Sequence, residues 1–330
     1  MEIRPLGSTG ADVSVIGLGT WQLGADWGEV TADEAGRVIA SSLESGVTFL
    51  DTADVYGDGR SESIIRDALE DHGGARPFVA TKMGRRAPQE PENYTPEAML
   101  EWNERSRRLL GVDTLDLVQL HCPPTEVLAS ARTWDALKRM RDEGRIAAFG
   151  ASVETCEQAL IAMDHGAATI QIICNVFRRK PLDEVLPRAL EQGVGIIVRV
   201  PLASGLLSGK YTRETRFDAK DHRSYNRDGS AFDVGETFAG VPFDIGVEAA
   251  REFAALCAEF GPEGATPAQI ALKWLIERPG VTTVIPGARS REQAVANASA
   301  ARIARLDPAL NEALEALYEE RIRAHVHDRW

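Results

Sequence analysis

The sequence predicts an α/β fold of the (β/α)8 TIM barrel type, with an N-terminal hairpin and a long loop after the seventh strand. Three observations carry that prediction. Eight short apolar runs alternate with helical patterns along nearly the whole chain, which is the pattern of parallel βαβ units. The helices between them carry local start and stop signals. Side chains of catalytic type also end three consecutive apolar runs, and barrel enzymes place their chemistry at the carboxyl ends of parallel strands.

The strand candidates lie near 13–18, 47–51, 78–82, 115–121, 146–152, 168–174, 195–200 and 282–286. Ile3 to Leu6 is expected to pair with the start of the first run as a hairpin. Thr31 opens a Thr-x-x-Glu capping box, after which Ala35, Val38, Ile39 and Leu43 repeat at helical spacing up to Gly46. Thr95-Pro96 starts another helix, with proline in its first turn and Gly111 just past its end. Ala129 to Glu143 ends at Gly144 in the same way. The interval between the last two strands is far longer than the others and includes Thr212 to Phe243, rich in Gly, Asp and Arg. A segment that long without periodicity is usually a lid or a cofactor clamp, with a disordered insert as the alternative. Phe232, Phe238 and Phe243 give it apolar anchoring. Pro308 to Arg323 reads as a final helix. No internal repeat, linker or low-complexity segment appears, so residues 1–330 are expected to form a single domain.

Composition narrows the function. The 330 residues suffice for one large barrel, and 44% hydrophobic with 26% charged content is ordinary for a globule with a substantial core. The net charge of −13 argues against nucleic acid or an anionic membrane as partner. Cys122, Cys156, Cys174 and Cys257 are scattered without a C-x-x-C pair, which fits reduced, buried thiols rather than a disulfide frame or zinc site. His325-Val-His327 is too short and too terminal for a metal centre, so no metal is expected. Met-Glu-Ile-Arg-Pro has no signal-peptide pattern and no apolar stretch could span a bilayer, so the expectation is a cytoplasmic protein. The acidic surface decides nothing about oligomeric state.

The chemistry gathers in a few side chains. Asp51 follows Val47–Leu50, with Tyr56 just beyond; Lys82 follows Phe78–Thr81; His121 follows Leu117–Leu120. Singly, each has a plain reading: a strand-end cap, a solvated ammonium, a packed imidazole. Together at neighbouring strand ends, a carboxylate, a phenol, an ammonium and an imidazole point to proton transfer with a tyrosine donor.

Asp51-Thr-Ala-Asp-Val-Tyr56-Gly57 resembles the signature of the aldo-keto reductases. Ala80-Thr-Lys82, Leu117-Val-Gln-Leu-His121, Gly144–Ser152, Pro201–Lys210 and Val284–Arg289 also stand where that family has its motifs, in order. The resemblance runs from Gly17 to about Ala301. It implies a (β/α)8 barrel that binds NADPH without a Rossmann domain and reduces small aldehydes or ketones, with sugars and keto-sugars as open choices. Tyr56 would be the proton donor, Lys82, salt-bridged to Asp51, would lower the phenol's pKa, and His121 would orient the carbonyl. An ordinary tyrosine has a pKa of about 10, so a cation beside it is what such a donor needs.

The resemblance also implies cofactor contacts. Ser152 and Gln171 would hold the carboxamide, with Thr20 and Asp51 near the nicotinamide and Arg199 where an aromatic residue commonly stacks. Leu202, Gly205 and Lys210 would wrap the pyrophosphate, with Arg227 reaching it from the long insert. Gly287, Arg289, Gln293 and Asn297 would hold the adenosine 2′-phosphate and adenine; Arg289 and Arg291 read without the resemblance as surface charges, and Gln171 as a packed polar residue. Two departures from the family stand beside them: Val153 follows Ser152 where asparagine is common, and Ala296 replaces an acidic or amide residue. Trp21 reads as a substrate-pocket wall or a core aromatic, and Trp330 as a cover over the substrate pocket or a fraying end. The alternatives are a non-catalytic NADPH-binding regulatory barrel of the same family and a cofactor-free lyase forming a Schiff base at Lys82.

Overall fold

The computed structural model describes residues 1–24 and 30–330. Ile3–Pro5 (β1) and Asp12–Ser14 (β2) pair antiparallel as a hairpin. It closes the amino-terminal end of the barrel, where Gly7 packs so tightly on the Ala168 carbonyl and the Gly195 amide that no Cβ would fit. The first apolar run is therefore shared: its start belongs to the hairpin and its end to the barrel.

Eight parallel strands follow: Leu18–Gly19 (β3), Phe49–Asp51 (β4), Phe78–Met83 (β5), Leu115–His121 (β6), Ile146–Ser152 (β7), Thr169–Ile173 (β8), Gly195–Arg199 (β9) and Val281–Val284 (β10). Each pairs with the next, and the ring closes where Ile16 and Gly19 bridge Val284 and Gly287. The Gly17 amide donates to the Val284 carbonyl at 2.8 Å across that seam. Inward side chains fill the barrel: Phe49, Ala80, Leu117, Ala148 and Ile197 meet Leu6 and Val13 of the hairpin in one buried cluster. A barrel plugged in this way is a rigid base, and its carboxyl-terminal rim is left to the loops.

The helices start where their caps place them. Thr31 and Glu34 form the reciprocal capping box of Ala32–Glu44, and the Thr95 hydroxyl accepts from the Ala98 amide at the head of Pro96–Leu110. Gly111 ends that helix with φ of 67°, a left-handed conformation that suits glycine. The helical run before Gly144 is broken into Thr125–Ala129 and Ala131–Asp142, with Ser130 extended between them. The last helix runs Pro308–Leu317, widens into a π turn over Tyr318–Ile322 and continues to Val326.

The long segment after β9 has its own architecture. It carries a short helix, His222–Tyr225, and single turns at Val234–Glu236 and Phe238–Gly240, before the helix Phe243–Phe260. Phe217, Phe238 and Phe243 pack together at 5.0 to 6.0 Å between ring centres. The Asn226 carboxamide accepts from the Ala231 and Phe232 amides and donates to Thr237, so a single buried side chain pins the loop's turns. Among the described residues no helix is long and apolar enough to cross a membrane.

Candidate active site

Three strand ends bring the central group together. Lys82 on β5 points its ammonium at Asp51 Oδ1 on β4, 2.5 Å away, and also donates to the Thr52 carbonyl at 2.8 Å and the Tyr56 hydroxyl oxygen at 3.2 Å. The side chains of Lys82 and Asp51 are 1% and 3% exposed, so this is a desolvated ion pair. Asp51 Oδ2 accepts from Gln171 at 2.7 Å and from Gln119 at 3.4 Å. Gln171 is thus tied to Asp51 through its amide nitrogen.

Tyr56 reaches the site through a turn, its amide bonded to the Ala53 carbonyl at 3.1 Å. Gly24 lies beneath that turn, where a Cβ would come within 2.7 Å of Tyr56 backbone. The Trp21 ring stacks on Tyr56 at 6.1 Å and 18°, and the His121 ring meets it edge-on at 5.9 Å and 84°. All four expected catalytic-type side chains therefore converge at one end of the barrel.

Their electrostatics differ in one respect from the sequence reading. Burial pushes the Tyr56 phenol above its ordinary pKa, and the opposing pull of Lys82 does not overcome it. The phenol is held as a neutral acid. Burial also works against the Lys82 charge, yet Asp51 and Tyr56 raise its pKa on balance, so the ammonium stays charged. Burial first, then Arg85, Lys82 and Arg199, push His121 well below its usual range, leaving a neutral imidazole. Its Nδ1 is buried with no hydrogen-bond partner.

Next to these groups lies an ion network that sequence reasoning missed. Arg85, in the loop after β5, bonds Glu236 at 2.7 Å and Glu154 at 3.2 Å. Arg199 bonds Glu154 at 2.9 Å and Glu236 at 3.5 Å. Arg199 also donates to the Val153 carbonyl at 3.0 Å and lies 3.5 Å from Cys122 Sγ. It is therefore committed to two carboxylates. Cys122, Glu154 and Glu236 bring ligand-type atoms within 4.8 Å of one another, but both carboxylates already neutralise guanidiniums. The group reads as ion pairing rather than as a metal site. Only Arg199 carried a sequence signal, its place at a strand end; residues 85, 154 and 236 meet through tertiary structure alone.

The remaining residues separate into rim and support. Ser152 faces Cys122 at 3.6 Å, on the same strand register as His121 and Gln171. After β9 the backbone coils through Ala203, Ser204 and Gly205 with φ of 47°, 52° and 96°. Consecutive left-handed residues cost free energy and cluster where backbone amides meet a ligand. A Cβ at Gly205 would collide with the Tyr211 hydroxyl. Leu202 borders that turn, and Lys210 stands exposed beyond it. After β10, a Cβ at Gly287 would strike the Gln22 amide. Asn297 donates to the Gly287 carbonyl at 3.1 Å and Gln293 accepts from the Arg289 amide at 2.8 Å, shaping the entry to helix Arg291–Ser299. The Arg289 side chain is exposed there, beside a helix N-terminus, an arrangement suited to a phosphate.

Three expected contacts fall elsewhere. The Thr20 hydroxyl is fully buried on the Asp51 carbonyl at 2.8 Å and Ser61 at 2.7 Å, so its side chain supports β4. Arg227 lies over the Phe243 ring at 4.7 Å and donates to the Arg223 carbonyl, within the insert's own packing. Trp330 is buried, bonded to Asp233 at 2.9 Å and covered by Arg178 at 4.0 Å. It clasps the insert at Gly235 and Gly240, where a Cβ would meet its ring, rather than reaching Tyr56. Trp21 does flank Tyr56, and the insert's His222 and Phe232 pack against it at 4.8 and 6.0 Å.

Known proteins resemble this chain in sequence and in fold. Aldo-keto reductase YhdN of Bacillus subtilis is 30% identical over 301 residues, covering 89% of this chain and 86% of that protein. The glycerol dehydrogenase AKR11B4 from Gluconobacter oxydans superposes with a TM-score of 0.78 at 27% identity, covering 98% and 96% of the two chains. An aldo/keto reductase from Klebsiella pneumoniae, solved with NADP and acetate, gives 0.68 at 26%, covering 94% of each. The sequence model of the Aldo/keto reductase family matches residues 15–319, and with its strand-end tetrad on a closed eight-stranded barrel the chain belongs to that family of oxidoreductases.

Proposed function

We propose that the protein reduces aldehydes or ketones to alcohols, reversibly, with NADPH, and that Tyr56 delivers the proton. The observation that carries this reading is the Lys82 ammonium bonded at once to Asp51 and to the Tyr56 oxygen, beside a neutral His121. The rim residues suit the cofactor: a left-handed amide turn at 203–205, a close-approach glycine at 287 and an exposed Arg289 at a helix N-terminus. Ser152, Leu202, Gly205, Lys210, Gly287 and Arg289 would hold it, and when bound it supplies the hydride.

The chain's own residues govern the proton. Because the Tyr56 oxygen accepts from Lys82, its O–H is free to donate to a substrate carbonyl oxygen. As that proton leaves, the fixed ammonium faces the forming phenolate, and no solvent has to reorganise. Asp51 holds Lys82 charged and aimed, with Gln171 and Gln119 fixing the carboxylate. His121, neutral at physiological pH, can donate one N–H to the same carbonyl oxygen without competing as an acid. The insert over residues 211–245, whose His222 and Phe232 pack on Trp21, would limit exchange with water at the site.

The test is the consumption of NADPH by the purified protein across a panel of aldehydes, ketones and keto-sugars. Carbonyl-dependent oxidation supports the reading; NADPH binding without turnover on any carbonyl moves the protein to a regulatory role. Deleting part of 211–245 should weaken NADPH affinity, and unchanged affinity would remove the insert from the account.

A further inference from the structure

Two kinds of surface flank the strand-end tetrad. One is aromatic: Trp21 stacks on Tyr56 and is backed by His222 and Phe232. The other is charged: Arg85, Glu154, Arg199 and Glu236 form a closed ring of four ion pairs at 2.7 to 3.5 Å. Their side chains are 19%, 12%, 9% and 7% exposed, so the ring is largely desolvated but not sealed. It is also close to the reacting groups. Arg199 lies 3.5 Å from the sulfur of Cys122, the residue after His121, and Arg85 follows Lys82 by three positions. Arg199 further keeps a buried Nε–H with no acceptor.

Buried guanidiniums and carboxylates cost free energy, and for stability alone an apolar wall of equal volume would often serve as well. A largely desolvated charged ring with a spare donor near a proton donor is suited to recognition. We propose that this quartet is the specificity element of the site, reading a hydroxyl group near the reacting carbonyl, so that the substrates are short hydroxyaldehydes or hydroxyketones. The inference rests on the reductase reading. A hydroxyl group is at once acceptor and donor, so it can take a guanidinium N–H and give its proton to a carboxylate. A plain methylene offers neither and leaves the ring's charges poorly solvated. Both guanidiniums are already paired with Glu154 and Glu236, so a carboxylate-bearing substrate would have to displace one of these ion pairs. Trp21 completes the fit, since an aromatic face packs against the C–H side of such a molecule while its hydroxyl turns to the ring.

The experiment compares kcat/KM for glyceraldehyde, propanal and glyoxylate at saturating NADPH, in the wild type and in the Arg85→Met, Glu236→Gln double variant, which removes one charge of each sign. Thermal unfolding checks that the variant folds. The wild type is expected to favour glyceraldehyde over propanal by at least about tenfold, the worth of one hydrogen bond to a charged group. In the folded double variant that ratio should fall at least about tenfold. If the variant does not fold, the wild-type ratio decides alone. A wild-type ratio near one, a preference for glyoxylate, or an unchanged ratio in the folded variant overturns the proposal while leaving the reductase reading intact. No turnover on any of the three, or on the wider carbonyl panel, sinks both.

Discussion

Replacing Lys82 by methionine tests the electrostatic centre of the molecule. Its ammonium and the Asp51 carboxylate lie 2.5 Å apart with almost no exposure. At an effective dielectric of about 20 their attraction is about 7 kcal/mol, most of it offset by desolvation. Removing one partner leaves the other charged and buried, which costs about 3–5 kcal/mol. The Gln171 and Gln119 amides still donate to Asp51, so the loss should sit near the lower end of that range. Neutralising both, as Asp51→Asn with Lys82→Met, removes the stranded charge. The double variant should regain all but about 1 kcal/mol of the loss, while remaining inactive. Urea unfolding of the four proteins at pH 7 closes the cycle. A Lys82→Met loss under about 1 kcal/mol, or a double variant no more stable than the single one, would refute the claim that this pair is a desolvated, interdependent unit.

Other consequences follow from the same geometry. Burial, and then Glu62, raise Asp54 from 3.8 to about 7 in the folded protein. A raised carboxylate stabilises the fold at pH below 4 and loses that contribution as pH rises through about 7, a change of up to about 4 kcal/mol. Asp54→Asn should therefore raise the unfolding temperature at pH 8 much more than at pH 5, and equal shifts at both would contradict the assignment. Trp330→Ala removes the clasp on Asp233 and Arg178, should cost about 3–5 kcal/mol, and should expose 211–245 to protease cleavage; an unchanged digestion pattern would argue against the clasp. Arg289→Ala should weaken NADPH binding about tenfold or more by fluorescence titration while sparing NADH, and equal loss for both would remove Arg289 from the 2′-phosphate.

Much of this was readable in the sequence because it is local. Each barrel strand announces itself as an apolar run, and Asp51, Lys82 and His121 end their runs where the rim must be. Thr31, Thr95 and Gly111 marked helix ends through cap chemistry that depends on neighbours only a few residues away. What was not readable depends on long-range closure. Gln119 looked like one residue of a strand motif, and only the register of β6 turns it towards Asp51. Arg85, Glu154 and Glu236 come from three separate loops with no shared periodicity. Trp330, as a terminal aromatic, reads from sequence alone as either a pocket cover or a fraying end, whereas Gly235 and Gly240 open a slot for it on the insert. The sign of the Tyr56 shift was also out of reach, since it is set by how far the folded chain removes the phenol from water.

The most direct test of the account is the Tyr56→Phe variant, measured for NADPH affinity and for carbonyl-dependent NADPH oxidation beside the wild type. NADPH should still bind, since Lys82, Asp51 and the rim residues are untouched, and turnover should collapse by at least about a hundredfold for want of the proton. A variant that keeps wild-type turnover on a carbonyl substrate would contradict Tyr56 as the proton donor.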